Sequence, residues 1–158
     1  MGGLFLPFLL DMKENRNIHI FCDGGSNVHT GKEGAWAYVV VENDEAIHEA
    51  FGSEKNTTNG RMEVLALKHA LSHAVSLDKT TEIIIRSDSQ YCVKAYNEWA
   101  NNWRTNKWRK SNNKVIEHVE EWKIIDVLRS PNIKVEWVKG HSGDKWNDYV
   151  DALTHNRY

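Results

Sequence analysis

Five short segments of the chain alternate apolar with polar residues, or run apolar, in the way that β-strands do. They are residues 18–23, 34–41, 46–52, 81–87 and 133–138. The first three follow one another with short turns between them, which predicts an antiparallel meander. Gly24 and Gly25 are expected to end the first strand. The fourth segment is a β-branched run typical of a central strand.

Apolar residues at helical spacing predict four helices. These are expected over residues 61–76, 90–100, 115–128 and 146–154. Thr57, Thr58 and Asn59 supply cap chemistry for the first helix, and Pro131 stops the third. The predicted order is βββαβα, then an interrupted helical stretch, then αβα. That order predicts an α/β domain with a five-stranded mixed sheet and helices on both of its faces.

Composition limits the class of protein without identifying it. A length of 158 residues predicts one domain. The formal net charge is −2, so any surface that binds nucleic acid must be local. Cys22 and Cys92 match neither a disulfide framework nor a metal spacing. We therefore expect both to be buried free thiols in a reducing, cytoplasmic compartment.

The first 16 residues stand apart from the rest of the pattern. Their apolar run at 2–10 is too short to span a membrane, and the charges of Lys13 and Arg16 follow it, whereas a signal peptide has its charges first. We expect residues 1–16 to be an N-terminal extension or a misplaced start, with Met12 as the alternative initiator. Residues 17–158 are the predicted domain, expected to be monomeric and not bound to a membrane.

Four acidic residues lie where strands end or where helices pack. They are Asp23, Glu63, Asp88 and Asp151. If the first and fourth strands are neighbours, Asp23 and Asp88 lie side by side at one edge of the sheet. Clustered carboxylates are the ligands that Mg²⁺ prefers, and two such ions can drive phosphodiester hydrolysis. Each acid alone is more often a turn former or a helix-dipole partner, so the argument depends on their combination.

Four segments resemble the motifs of type 1 ribonuclease H. They are 22–25 (CDGG), 57–63 (TTNGRME), 87–91 (SDSQY) and 138–143 (VKGHSG), the last followed by Asn147 and Asp151. The resemblance extends from residue 18 to 155 in matching order and spacing. It implies a ribonuclease H-like fold and an endonuclease that cuts the RNA strand of RNA–DNA hybrids. It also implies a two-metal-ion mechanism with Mg²⁺, for which Mn²⁺ can substitute, leaving 5′-phosphate and 3′-hydroxyl ends.

The same resemblance implies roles for single residues. Asp23, Glu63, Asp88 and Asp151 match the metal-binding catalytic carboxylates, and His141 matches a loop histidine that assists proton movement or product release. Asp148 lies near Asp151, but the spacing from His141 favours Asp151. Residues implied to contact the hybrid are Thr58, Asn59, Gln90 and Asn102. Among these, Thr58 and Asn102 are implied to grip a phosphate of the DNA strand.

A basic aromatic segment follows the second predicted helix. Trp99, Trp103 and Trp108 interleave there with Arg104, Lys107, Arg109, Lys110 and Lys114. The first two tryptophans, at i and i+4, are expected to share a helix face and anchor it. The residues predicted to bind nucleic acid are Trp103, Arg104, Lys107, Arg109 and Lys110. The segment resembles the basic protrusion of bacterial members of the family.

Two features depart from the family pattern. Gly60 stands where a second Asn is usual, and the first loop (residues 26–33, SNVHTGKE) lacks the usual turn. Related nucleases fit less well, because proofreading exonucleases have a D-x-E pair in the first strand and transposase-type enzymes place their helix Glu last. The remaining alternative is a catalytically inactive module that binds hybrids or a partner protein. The presence of all four carboxylates disfavours it.

Overall fold

The computed structural model describes residues 16–27 and 33–155. The predicted extension therefore lies outside the described residues except for Arg16, as does most of the altered first loop. The strands are β1 Ile18–Asn27, β2 Glu33–Glu42, β3 Glu45–Glu54, β4 Ile83–Ser87 and β5 Ile133–Trp137. The helices are α1 Asn59–Val75, α2 Gln90–Lys94, α3 Ala100–Thr105, α4 Val119–Val127 and α5 Lys145–His155. A π-helical turn, Ala95–Trp99, joins α2 to α3.

The five strands form one sheet in the order β3-β2-β1-β4-β5. Strands β1, β2 and β3 are antiparallel neighbours, which confirms the predicted meander. Strands β1, β4 and β5 run parallel. The β1–β4 ladder ends at the pair Cys22 and Ser87, so the residues that follow them emerge together at one edge of the sheet.

Helices cover both faces of this sheet, which confirms the predicted α/β fold. One face buries Ile20, Val40 and Ile85 against Leu67 of α1 and Trp122 of α4. The other face forms a smaller cluster beneath α5, made by Phe21, Ala37, Val39, Val41 and Val150. Burying a side chain of this kind stabilises the fold by about 1.5–3 kcal/mol. Among the described residues, no helix is long and apolar enough to cross a bilayer.

Several boundaries differ from the prediction, and three of these differences have a physical reason or affect the candidate site. Strand β1 continues through Gly24 and Gly25, because both pair with β2, so the prediction that these glycines end the strand was wrong. Helix α4 begins at Val119 instead of residue 115, because His118 has the left-handed backbone conformation (φ 59°) that breaks a helix. Helix α1 begins at Asn59, which puts Glu63 just beyond its first turn. The two cysteines are free and buried, as expected.

Candidate active site

The parallel pairing of β1 with β4 brings Asp23 and Asp88 together. Each residue directly follows the last pair of the ladder, Cys22 and Ser87, and the carboxyl groups are in hydrogen-bond contact. Asp23 is buried, with 7% of its surface exposed, whereas Asp88 is half-buried. A buried acid just beyond the end of the β1–β4 ladder is therefore paired with a second acid.

Asp23 carries the strongest electrostatic signal of the site. Burial, the charge of Asp88 and a hydrogen bond to Asp151 together raise the pKa of Asp23 to about 9, while a backbone hydrogen bond from Gly24 opposes the shift. At neutral pH the Asp23 carboxyl therefore keeps a proton and donates it to neighbouring carboxylates. A proton in this position neutralises charge that a bound cation could neutralise instead.

Asp88 interacts with every other group of the cluster. Burial raises its pKa, the hydrogen bond with Asp23 lowers it and the charge of Asp151 raises it, with a net upward shift. A hydrogen bond from Asn147 and the charge of His141 act in the opposite direction. Asn147 is itself buried, with 2% of its surface exposed, so it holds Asp88 from the interior side.

Glu63 approaches the cluster from α1. Burial raises the pKa of Glu63, a hydrogen bond with Ser89 lowers it, and the charge of Asp88 raises it again. Ser89 is the N-cap of α2 and accepts a hydrogen bond from the Cys92 amide at 3.2 Å. Ser89, the second serine of the 87–91 motif, therefore connects Glu63 to the end of β4.

The last helix supplies Asp151. It is half-buried and in hydrogen-bond contact with Asp23, whereas Asp148, three residues earlier, is exposed. Asp144 starts the helix by accepting hydrogen bonds from the amides of Trp146 and Asn147, both at 3.1 Å. This cap fixes the helical register and points Asp151 at the cluster.

The loop between β5 and α5 reaches the same place. A β-carbon on Gly140 would lie 3.1 Å from Oδ2 of Asp88, so the loop backbone passes directly over that carboxyl. His141 is exposed and has φ 55°. Its charge acts on Asp88, as described above. The structure thus brings His141 and the four predicted carboxylates to one edge of the sheet.

Comparison with known proteins decides the family. The RNase H family model matches residues 15–158. A ribonuclease H of Legionella pneumophila (strain Lens) is 37% identical over 139 residues, which cover 86% of this chain and 92% of that protein. A ribonuclease H of Treponema denticola is 38% identical over 152 residues, which cover 87% of this chain and 94% of that protein. The chain belongs to the RNase H family.

Solved structures show the same fold. A foamy viral protease–reverse transcriptase in complex with an RNA/DNA hybrid has a TM-score of 0.80 at 17% identity, covering 90% of this chain and 20% of that one. LC11-RNase H1 in complex with an RNA/DNA hybrid has a TM-score of 0.65 at 21% identity, and the match covers 89% of this chain and 95% of that one. The predicted enzyme class, a ribonuclease H, is confirmed by the family and its curated relatives.

RNase H enzymes generally use divalent metal ions, and the donor set of this one fits a hard cation. Its side-chain donors are carboxylate oxygens, together with the buried Oδ1 of Asn147, which has no hydrogen-bond partner in the described part of the chain. Within residues 16–27 and 33–155, no three His, Cys, Asp or Glu side chains form a ready-made metal cage. The carboxyls are instead joined by hydrogen bonds, which a cation would replace.

Two of the residues predicted to contact nucleic acid flank the carboxylates of this RNase H. Asn59, the first residue of α1, accepts hydrogen bonds at Oδ1 from the amide of Ser26 (2.6 Å) and from its hydroxyl (3.1 Å). Gln90 is exposed at the start of α2. Asn59 lies four residues before Glu63 and Gln90 lies two residues after Asp88, and their contact with nucleic acid stays a prediction.

Thr58 and Asn102, predicted to grip one phosphate of the DNA strand, belong to different helices. Thr58 caps α1 by accepting a hydrogen bond from the Arg61 amide at 3.2 Å. Asn102 lies in α3 and lines the cleft of the basic aromatic segment, and their shared phosphate contact stays a prediction. The side chain beside the start of α1 is that of His118, whose Nε2 lies 3.7 Å from where a β-carbon on Gly60 would be. No spacing along the chain indicated His118, which ends an irregular segment.

The basic aromatic segment forms a cleft of about 760 Å³. The ring of Trp103 packs edge-on against that of the fully buried Trp122, and their centroids are 5.7 Å apart. The centroid of Trp103 lies 6.3 Å from that of Trp99. Trp103 is therefore an anchor, whereas Trp99 is 39% exposed. Lining residues include Asn102, Arg109 and Lys110, and Lys107 is exposed nearby. Arg104 is held instead in an ion pair with Asp126.

Proposed function

We propose that this RNase H hydrolyses the RNA strand of an RNA–DNA hybrid and leaves 5′-phosphate and 3′-hydroxyl ends. The observation that carries the proposal is the contact of three carboxyl groups, those of Asp23, Asp88 and Asp151, around a buried position. Burial of like charges is costly, so a fold keeps such a cluster only where a cation or a proton offsets the repulsion. Structures of related enzymes in complex with RNA/DNA hybrids favour the hybrid as the substrate.

Asp23, Glu63, Asp88 and Asp151 would hold the metal, with Mg²⁺ as the proposed ion and Mn²⁺ as a substitute. Two such ions, when bound, would supply Lewis acidity to the attacking water and to the leaving 3′ oxygen. The protein's own contribution is positional. The β1–β4 ladder fixes Asp23 and Asp88, the Ser89 contact orients Glu63, and the Asp144 cap orients Asp151.

His141 is proposed to move a proton during the reaction. It is exposed on a loop that passes over Asp88, and an imidazole ring can both accept and donate a proton. It can therefore take the proton that the attacking water loses and release it to solvent, while the leaving 3′ oxygen takes up a proton to become the 3′-hydroxyl. The loop position also lets the histidine withdraw when the product leaves.

The hybrid is proposed to lie across the carboxylate edge toward the basic aromatic segment. Asn59 and Gln90 at the rim can reach the minor groove, where RNA presents its 2′-hydroxyls. Lys107, Arg109 and Lys110 can neutralise phosphates of the DNA strand. Selectivity for a hybrid would then arise because each side of the surface recognises one kind of strand.

The experiment compares four labelled substrates of one sequence: RNA–DNA hybrid, RNA duplex, DNA duplex and single-stranded RNA. Each is incubated with the protein in Mg²⁺ and in EDTA. The proposal expects cleavage of the RNA of the hybrid alone, and only with metal. Asp88→Asn should abolish cleavage and keep hybrid binding. Binding without cleavage by the unmodified chain would favour the inactive-module alternative.

A further inference from the structure

An apolar groove lies at the end of the molecule opposite the carboxylates. It occupies about 350 Å³ between the C-terminal ends of α1 and α4. Val75, Leu77, Val127 and Leu128 supply its apolar lining. Val127 is 83% exposed, the highest value for a large apolar side chain in the described part of the chain, and Val75 is 36% exposed. The groove is thus an apolar surface left open by the domain.

The apolar surface continues along α4. Ile124, one turn before Leu128, is 47% exposed, and its carbonyl accepts a hydrogen bond from the Leu128 amide at 3.1 Å. Ile124 and Val127 therefore form a short strip beside the groove. Exposed apolar side chains that are contiguous in this way mark a contact surface more often than scattered ones do.

The chain enters the domain at the same end. Arg16 is bound to Glu42 at the end of β2 by hydrogen bonds of 2.7 and 3.1 Å. The pKa of Arg16 is raised by this pairing and by the charge of Asp78. Asp78 directly follows Leu77, which lines the groove. The first described residue therefore lies near the groove, and the chain before it starts from there.

The segment before Arg16 has a matching composition. Residues 2–10 (GGLFLPFLL) contain six large apolar side chains and no charge. Residues 11–15 (DMKEN) connect them to Arg16 and can span at most about 18 Å when extended. With Asp11, Lys13 and Glu14 this connection has a net charge of −1, opposite in sign to Lys79 and Arg129 at the groove. The family match begins at residue 15, so the segment lies outside the part that relatives share.

We propose that residues 2–10 fold back onto the domain and dock in the groove between α1 and α4. Docking would remove the apolar side chains of both partners from water, which is favourable by area. The short connection keeps the segment close to the groove, which raises its effective concentration there. A second copy of the chain and a membrane are the competing occupants, and neither is held near the groove by a short covalent connection.

The test measures how fast a thiol in the groove reacts in the full chain. Val127→Cys places a single reactive thiol at the rim. The native thiols remain silent because Cys22 and Cys92 are buried, and burial raises the pKa of Cys92 to about 12. The rate of thiol labelling is compared with that of the same protein carrying Phe5→Asp and Phe8→Asp. The matched control is Glu120→Cys, an exposed position at the other end of α4.

Docking predicts that the two Phe→Asp substitutions accelerate labelling of the cysteine at 127 about tenfold, the ratio that corresponds to about 1.4 kcal/mol. Labelling of the cysteine at 120 should not change. Equal rates at position 127 in both backgrounds would overturn the proposal. Protection that increases with protein concentration would assign the groove to a second copy. Protection that appears only with phosphatidylglycerol vesicles would assign it to a membrane, and either result also overturns the proposal.

Discussion

Gly24 of β1 lies so close to Met62 of α1 that a β-carbon on Gly24 would be 2.2 Å from the Met62 carbonyl carbon. Any other residue at this position would have to push α1 away from β1. Asp23 precedes Gly24 and Glu63 follows Met62. The close approach of the two backbones therefore sets the distance between two of the proposed metal ligands, which explains a glycine directly after Asp23.

Gly24→Ala is expected to lower both stability and activity. Overpacking of this kind costs about 1–3 kcal/mol, and a displaced α1 would also move Glu63 away from Asp88. The free energy of unfolding, measured by denaturant titration, should fall by that amount. Gly60→Ala is the matched control, because the nearest atom to its β-carbon would be 3.7 Å away. An equal loss of stability in both variants would contradict this account of Gly24.

The raised pKa of Asp23 predicts how stability depends on pH without metal. The folded protein keeps this proton up to about pH 9, whereas the unfolded chain loses it near about pH 3.9. Between these values the folded state binds more protons than the unfolded state, so the free energy of unfolding decreases as pH rises. The decrease from this group is at most about 1.4 kcal/mol per pH unit.

The measurement is the free energy of unfolding in EDTA between pH 5 and pH 8, for the unmodified chain and for Asp23→Asn. The pH range is chosen inside the window set by the two pKa values. The variant has no proton to lose at this position, so its stability should depend less on pH. Asp88 and Glu63 also have raised pKa values and account for the slope that remains. Identical slopes for the two proteins would show that Asp23 is not the titrating group.

The strand pattern was sufficient to predict the sheet, and it predicted the pairing of Asp23 with Asp88 on the condition that the first and fourth strands are neighbours, which they are. Both predictions depend on local alternation and on the rule that parallel strands end at the same edge. The glycines after Asp23 misled the prediction, because a strand continues through glycine when its neighbour supplies the hydrogen bonds. Nothing local indicated that Gly24 contacts Met62, since that contact joins two separate elements.

The contact between His118 and the start of α1 could not be predicted for a different reason. Asn102 and His118 are separated by an irregular segment that contains left-handed residues, Lys107, Trp108 and Asn113, and His118 is left-handed as well. Counting residues places side chains only where the backbone repeats regularly. Through such a segment neither helical nor strand periodicity applies, so the sequence could not indicate which side chain returns to the start of α1.

Asp151 and Asp148 provide a matched pair for testing the acid assignment. Asp151 contacts Asp23, whereas Asp148 is exposed on the same helix. Asp151→Asn should lower the rate of metal-dependent cleavage by more than about 100-fold, since even outer partners of metal sites cost about 10–100-fold. Asp148→Asn should leave the rate unchanged. The reverse order of effects, measured under single-turnover conditions in Mg²⁺, would move the assignment to Asp148.

The contacts within the basic aromatic segment predict which of its basic side chains bind phosphate. Arg109 and Lys110 line the open cleft, whereas Arg104 is paired with Asp126. Replacing Arg109 or Lys110 by Ala should weaken hybrid binding, because fewer counterions are released. The slope of log K against log salt should become shallower by about 0.7–0.9 for each lost phosphate contact.

Arg104→Ala is the control for this prediction, because it removes the same charge from the same segment. Its guanidinium already has a carboxylate partner, so its loss should change the salt slope little. The measurement uses Asp88→Asn protein, which is expected to bind hybrid without cutting it, titrated at several salt concentrations. If Arg104→Ala reduced the slope as much as Arg109→Ala, the charge of the whole segment would matter and the cleft would have no special role.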